Sequence, residues 1–299
     1  HNMFGHFLGD YIISKGLITK SQLDIITDYQ KSSRVKLGAI AVAEKLLTPK
    51  QADEINNLQI KLDKRFGDIA TERGYLTTEQ VDHLLNLQGS PYHQFVQALT
   101  AKTTLTKEDI KRLIMEYQEE NFLSDENLEA IKSGDIDRIA PVFATTDNPI
   151  CNEHIGLVLR NIVRFIENQI LIQKYYTVTE YSFDNFAGQF LKGQHNILFG
   201  FAGKDDSLLA IANPFANESF NLVDEDAFDS ICEFINCING LFASRLSDKE
   251  IDIDLLPPVS YTGQTLIANG NIYVVPVVIN GNKVDLLLSM DNPIDVVTQ

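Results

Sequence analysis

The chain has 299 residues, 44% of them hydrophobic, with 25 Lys and Arg against 41 Asp and Glu for a net charge of −16. That length is more than one small core needs and suits two domains, while the acidity argues against nucleic acid as a partner, because phosphate binding needs a basic surface. Three cysteines, Cys151, Cys232 and Cys237, with no C-x-x-C spacing and no histidine at ligand spacing, support neither a disulfide framework nor a zinc site. No Walker-type phosphate loop, G-x-S-x-G elbow or H-E-x-x-H occurs. The longest apolar runs, such as Tyr273 to Ile279, fall far short of the ~20 residues of a membrane-spanning helix. With no signal peptide evident, a cytoplasmic protein is expected, and His1-Asn2 ahead of Met3 reads as a remnant outside the fold. The acidity is uneven, with a net charge of −1 over residues 1–120 and −15 over residues 121–299.

Residues 1–120 repeat. FLGDYIISKGLITKSQLDIITDYQ from Phe7 aligns with KLGAIAVAEKLLTPKQADEINNLQ from Lys36 and RFGDIATERGYLTTEQVDHLLNLQ from Arg65, so that Gly9, Gly38 and Gly67 fall 29 residues apart, as do Gln30, Gln59 and Gln88. A fourth copy from Phe95 keeps the spacing and loses the glycine. Thr19-x-x-Gln22, Thr48-x-x-Gln51 and Thr77-x-x-Gln80 are capping boxes that start the second helix of each copy, Thr106-x-x-Asp109 approximates a fourth, and Pro49 takes the tolerated first helical position. A helical hairpin cannot bury its apolar side alone, so the copies are expected to stack on one another in one all-helical domain.

The [RK]-L-G start, the T-x-x-Q turn and the closing Gln resemble the N-terminal domain of type II secretion and pilus-assembly ATPases of the MshE type. That resemblance implies cyclic di-GMP binding, with Arg34, Lys36, Leu37, Gly38, Arg65 and Gly67 at the matching positions. Copy one has Phe7 in place of the basic residue, and copy three has Phe66 in place of the leucine. The plainer reading of the same residues is that the glycines let helices pack closely and the cations are solvated. The secretion ATPase itself is excluded by the missing phosphate loop.

Residues 121–146 read as a linker holding a short helix capped by Ser124 and closed by Gly134. A second domain, 147–299, is expected to open with a long helix from Glu153 to Lys174, with Ile155, Val158, Leu159, Ile162, Ile166 and Ile170 on one side. His154, at its start, reads as a surface residue. Strands are expected over roughly Tyr175 to Phe186, Asn196 to Ala202 and Leu208 to Ala212, the last two joined by a turn at Gly203-Lys204-Asp205-Asp206. Glu250 to Leu256 reads as a half-exposed edge strand with an acidic outer face. Leu266 to Ala268 follows, and Tyr273–Ile279 and Lys283–Ser289 flank Asn280-Gly281-Asn282, a hairpin signal. Two long helices against a sheet of about six strands make an α+β layer architecture.

Between these strands, Phe228, Ile231, Ile235, Ile238 and Phe242 recur at steps of three and four, the spacing of a buried helix face, with Asp226 read as the N-cap. At about 100° per residue, Asp229, Glu233, Asn236 and Gly240 form a narrow stripe on the opposite side. A solvated face is the default for such a stripe. The order Asp229-x-x-x-Glu233-x-x-Asn236, with Pro257-Pro258 after a strand, nevertheless resembles the CheC/CheX/FliY family of chemotaxis phosphatases, apart from one residue fewer between Asn236 and Pro258 than the family usually has. The element order from Asp147 onward follows the CheX-like domain.

The resemblance implies a phosphatase of aspartyl-phosphorylated CheY-like receivers. Asn236 would hold the attacking water, Glu233 would pair with the receiver's lysine, and Asp229 would be supportive at most. Phosphoryl transfer depends mainly on positioning and charge, so few residues suffice. No cofactor of its own is expected; Mg²⁺ would sit on the receiver. The Glu153-to-Lys174 helix has no E-x-x-N, so one centre is expected, and the resemblance to CheX implies a homodimer. A non-catalytic adaptor that binds a receiver or another protein partner, with the repeats sensing cyclic di-GMP, is the competing class.

Overall fold

Thr19, Thr48, Thr77 and Thr106 each accept a hydrogen bond from the backbone N–H three residues on, and Gln22, Gln51, Gln80 and Asp109 accept one in return from the N-cap N–H. Each reciprocal pair satisfies two donors that a helix start would otherwise leave bare. In the computed structural model, which describes residues 3–298, these boxes open the second helix of every copy. The copies are α1 (Met3–Ser14) with α2 (Lys20–Ser33), α3 (Leu37–Ala43) with α4 (Pro49–Leu62), α5 (Phe66–Glu72) with α6 (Thr78–Gln88), and α7 (Pro91–Lys102) with α8 (Lys107–Glu120). The chain divides into two units, one ending at Gly134 and one beginning at Asp135.

Within the first unit the glycine period has a packing cause. A Cβ on Gly9 would lie 2.4 Å from Leu23, one on Gly67 2.7 Å from Val81, and one on Gly38 3.2 Å from Phe66 of copy three and 3.5 Å from Ala52. Leu23, Val81 and Ala52 stand on the second helix of the same copy, which therefore crosses the first in near contact, whereas Phe66 opens α5 of the neighbouring copy.

The copies do not stack in chain order. Helix α3 packs on α6 and α4 on α5, whereas α2 and α1 pack on α7, and α1 also on α8. Copies two and three thus share one core, built on Ala52, Ile55, Phe66, Ile69 and Leu84. Copies one and four close a second pair through edge-on ring contacts of Phe4 with Tyr92 and Phe95 and of Tyr11 with Tyr117. Helix α9 (Asp125–Lys132), capped by Ser124, also packs on α1. Gly134 ends it at φ +65°, a conformation glycine adopts without steric cost.

The second unit begins with α10 (Ile136–Ala144), which lies along α11 (Pro149–Phe165). After β1 (Ile170–Ile172), β2 (Tyr176–Gly193) and β3 (Ile197–Gly203) come α12 (Asp205–Ala216) and α13 (Glu225–Asp248), then β4 (Ile253–Leu255), β5 (Val259–Ile279), β6 (Asn282–Met290) and β7 (Ile294–Thr298). The sheet runs β1-β5-β6-β3-β2-β4, with β7 and the Tyr176-to-Gly188 part of β2 also pairing β5, and all pairings are antiparallel. The first unit is therefore all helical and the second α+β, with β1 and β4 at the two ends of the strand order. The β5–β6 hairpin turns on Asn280 and Gly281, at φ +49° and +77°, between the paired Ile279 and Asn282. Those angles are the left-handed pair that a two-residue turn of type I′ requires.

Three expectations need correction. The long helix stops at Phe165, and Ile170 lies in β1, paired with Ile279; isoleucines four apart fit a helix period as well as a short strand. Leu208 to Ala212 is the middle of α12, so Gly203 to Asp206 is a helix entry and no hairpin turn. A five-residue apolar run cannot separate the two states, but Asp205 and Asp206 in the first turn favour a helix start. Leu266–Ala268 and Tyr273–Ile279 are parts of one 21-residue strand, β5.

Strand alternation sorts the core into two faces. Phe186, Leu198, Ala202 and Leu287 lie on one face, in a cluster that also takes in Phe183, Leu266 and Ile272. On the other, Phe199 meets His154 of α11 and Phe201 stacks on Phe234 of α13. Gly188 and Gly200 are cross-strand partners beneath the Phe186 ring, and a Cβ on either would come within 2.5 Å of it. No helix among the described residues is long and apolar enough to cross a membrane.

Candidate functional site

Helix α13 begins at Asp224, whose carboxylate accepts from the Ala227 N–H at 2.9 Å. The cap is therefore two residues earlier than the expected Asp226, which sits with Glu225 in the first turn, where the helix dipole favours acids. Phe228, Ile231, Ile235, Ile238 and Phe242 are buried. Asp229, Glu233, Asn236 and Gly240 are all exposed, as the stripe requires.

Asn236 is exposed but tethered. Its Oδ1 accepts from Gln189 Nε2 at 2.8 Å, and the same nitrogen donates to the Leu256 carbonyl at 2.7 Å. Gln189 Oε1 accepts from Asn239 Nδ2 at 2.9 Å, and Asn239 Oδ1 lies 2.8 Å from His154 Nε2. Gln189 and Asn239 are wholly buried, and His154 is 1% exposed, not the surface residue expected from its place in the sequence. The His154 ring sits between Phe199 and Phe242, each centroid 4.6 Å away. That burial pulls its pKa down to about 4 despite the opposing hydrogen bond to Asn239, so the ring is neutral near pH 7.

Sequence reasoning missed Gln189 and Asn239. A signal existed: Asn239 interrupts the apolar face between Ile238 and Phe242, and Gln189 occupies an inward position between Ala187 and Leu191. Buried amides of this kind need partners.

The cysteines of α13 offer no nucleophile at neutral pH. Burial, with the nearby Asp229 charge, pushes the Cys232 thiol up to about 11. Burial first and Glu233 second raise that of Cys237. A reactive cysteine needs the opposite surroundings. No cluster of metal-ligating residues occurs among the described residues.

In the first unit, Lys36 and Arg65 are the N-cap residues of α3 and α5, both exposed. Leu37 opens α3, Gly38 faces the Phe66 ring and Ala52, and Gly67 faces Val81 on the second helix of its own copy. Arg34 is half-buried, which lowers its pKa, and it donates to Gln88 Oε1 at 3.3 Å.

Residues 189–279 match a family model described as "Chemotaxis phosphatase CheX". Among solved structures, a chemotaxis protein CheX from Vibrio vulnificus is similar at 16% identity, covering 48% of this chain and 100% of that one, with a TM-score of 0.43. A CheC-like superfamily protein from Shewanella sp. PV-4 has the same identity and score over 49% of this chain and 99% of that one. A CheX–CheY–BeF3–Mg complex from Borrelia burgdorferi follows at 14% identity, with 47% and 97% coverage and a TM-score of 0.35. No curated protein sequence matches the chain. On the family-model match, the segment from 189 to 279 within the C-terminal unit is CheX-like.

Proposed function

We propose that the C-terminal unit hydrolyses the aspartyl phosphate of a CheY-like receiver domain, with Glu233 and Asn236 as the working pair. The observation that carries this reading is that both residues stand exposed on one face of α13, inside the segment that matches the CheX model, with the Asn236 amide held by a hydrogen bond from the buried Gln189. An aspartyl phosphate is already an activated acyl phosphate. What its hydrolysis lacks is a water held in line with the leaving carboxylate. Tied through one lone pair of Oδ1, Asn236 keeps the other lone pair and both Nδ2 hydrogens for a water and a phosphoryl oxygen. Glu233 supplies a carboxylate one helical turn away for the receiver's lysine, and Asp229 extends the acidic stripe a further turn. The receiver brings Mg²⁺, so the chain needs no metal of its own.

The test follows Mg²⁺-dependent loss of phosphate from candidate receivers of the same organism. Asn236→Ala should abolish the acceleration and leave binding measurable. Glu233→Ala should weaken both, by the roughly 1.5–3 kcal/mol of a charge-assisted contact. If the wild type accelerates none of the receivers, or Asn236→Ala matches it, the unit is a non-catalytic adaptor.

A further inference from the structure

The Leu256 carbonyl can only accept a hydrogen bond, and this restriction propagates through four side chains. It assigns the nearer end of the Gln189 amide as Nε2, at 2.7 Å. The second Nε2 hydrogen then requires an acceptor at 2.8 Å, which makes the near atom of Asn236 its oxygen. Gln189 Oε1 requires a donor, so Asn239 turns Nδ2 toward it at 2.9 Å and Oδ1 toward His154 at 2.8 Å. His154 must then carry its proton on Nε2, and consistently Nδ1 has no partner among the described residues. Each of the three buried groups has one orientation that satisfies its neighbours, and reversing any one would set donor against donor or acceptor against acceptor.

We propose that Gln189, Asn239 and His154 are a positioning relay that presents the Asn236 amide to the phosphorylated partner in one orientation, with Oδ1 tied to the sheet and Nδ2 outward. The inference rests on the reading of Asn236 as the group that places the water. An untethered asparagine on a helix surface samples up to three χ1 wells and two amide faces, roughly six arrangements where the relay permits one. None of the three residues touches the reacting atoms; they act through Asn236.

The experiment uses the full chain with Gln189→Met, which keeps the side-chain length and removes both amide ends. Two readouts are taken: steady-state dephosphorylation of a receiver, and ¹⁵N relaxation of the Asn236 side-chain amide in the free protein. The expected result is a fall in kcat of about fivefold with KM within about twofold. The Asn236 order parameter should drop from near 0.85 to below about 0.6. A merely structural defect would scale activity with the folded fraction and would not single out that amide.

His154→Phe cuts the far end of the relay and should produce a smaller loss of both quantities. His154→Gln, which again offers an N–H to Asn239 Oδ1, should restore them; if Gln189→Met fails to fold, this pair decides by the same readouts. A folded Gln189→Met with unchanged kcat and unchanged Asn236 mobility overturns the relay, as does a wild type whose Asn236 amide is already mobile. If the wild type accelerates no receiver, the phosphatase reading falls, and the order parameter alone decides the relay.

Discussion

Lowering the pH should destabilise the second unit through His154 in a way that can be separated from its many carboxylates. The unfolded-state pKa of histidine is about 6.5, and in the fold burial takes it to about 4. Because the folded value is depressed, the unfolded chain binds the proton first. The contribution is complete above about pH 6.5, declines as pH falls toward 4, and flattens below that. Over ~2.5 units at 1.36 kcal/mol each, the loss is about 3 kcal/mol. The chain has no tryptophan to report unfolding, so the assay is urea unfolding followed at the amide resonances of β3, which belong to this unit alone.

The comparison is with His154→Phe, measured from pH 7 to pH 4. Aspartate and glutamate titrate in both proteins and cancel in the difference. The variant also leaves Asn239 Oδ1 without its donor, but that cost of ~1–3 kcal/mol is the same at every pH and moves the baseline without changing the slope. The wild type should lose about 3 kcal/mol more than the variant across this range. Equal slopes would mean that His154 titrates alike in both states, and the buried, neutral, Nε2-protonated ring would be wrong.

Three further outcomes are expected. Gly240 lies in the middle of α13 with nothing within 4 Å of an added Cβ, so Gly240→Ala should raise stability by about 1 kcal/mol in the same unfolding assay, and Gly240→Phe should weaken capture of a phosphorylated receiver if that face is where it docks. Gly200→Ala should cost about 3 kcal/mol, since its Cβ would fall 2.6 Å from the Ala187 carbonyl and 2.5 Å from the Phe186 ring; unchanged stability would refute the tight packing under that ring. Thr77→Ala removes one capping box and should cost about 1 kcal/mol, read as a lower thermal midpoint of the first unit.

Helix α13 was readable because a helix face repeats every three or four residues, so the burial of Phe228 to Phe242 and the exposure of Asp229, Glu233 and Asn236 follow from spacing alone. The capping boxes were equally local, four residues each. Helix α12 escaped because five consecutive apolar residues carry no period. The relay escaped for a different reason: its bonds join residues 85, 50 and 47 positions apart, and no local pattern ties α11 to α13 or either of them to β2. The repeats show both sides of this, since the 29-residue period announces the hairpins while the choice of partner depends on how near-identical faces are shared out.

That choice of partner sets an order of assembly. Copies two and three are adjacent in the chain and can meet by closing a short loop. Copies one and four meet across 61 residues, the separation at which Gln30 donates to the Pro91 carbonyl. Each halving of the effective loop lowers the closure cost by about 0.6 kcal/mol, so a folded inner pair, which draws Ser33 and Pro91 together, makes the outer pair easier to form. A linear repeat array can nucleate anywhere and grow from either end. Loop closure favours an inside-outward order for this one, and on heating it should open in reverse, freeing Phe4 and Phe95 while Ile55 and Leu84 are still packed.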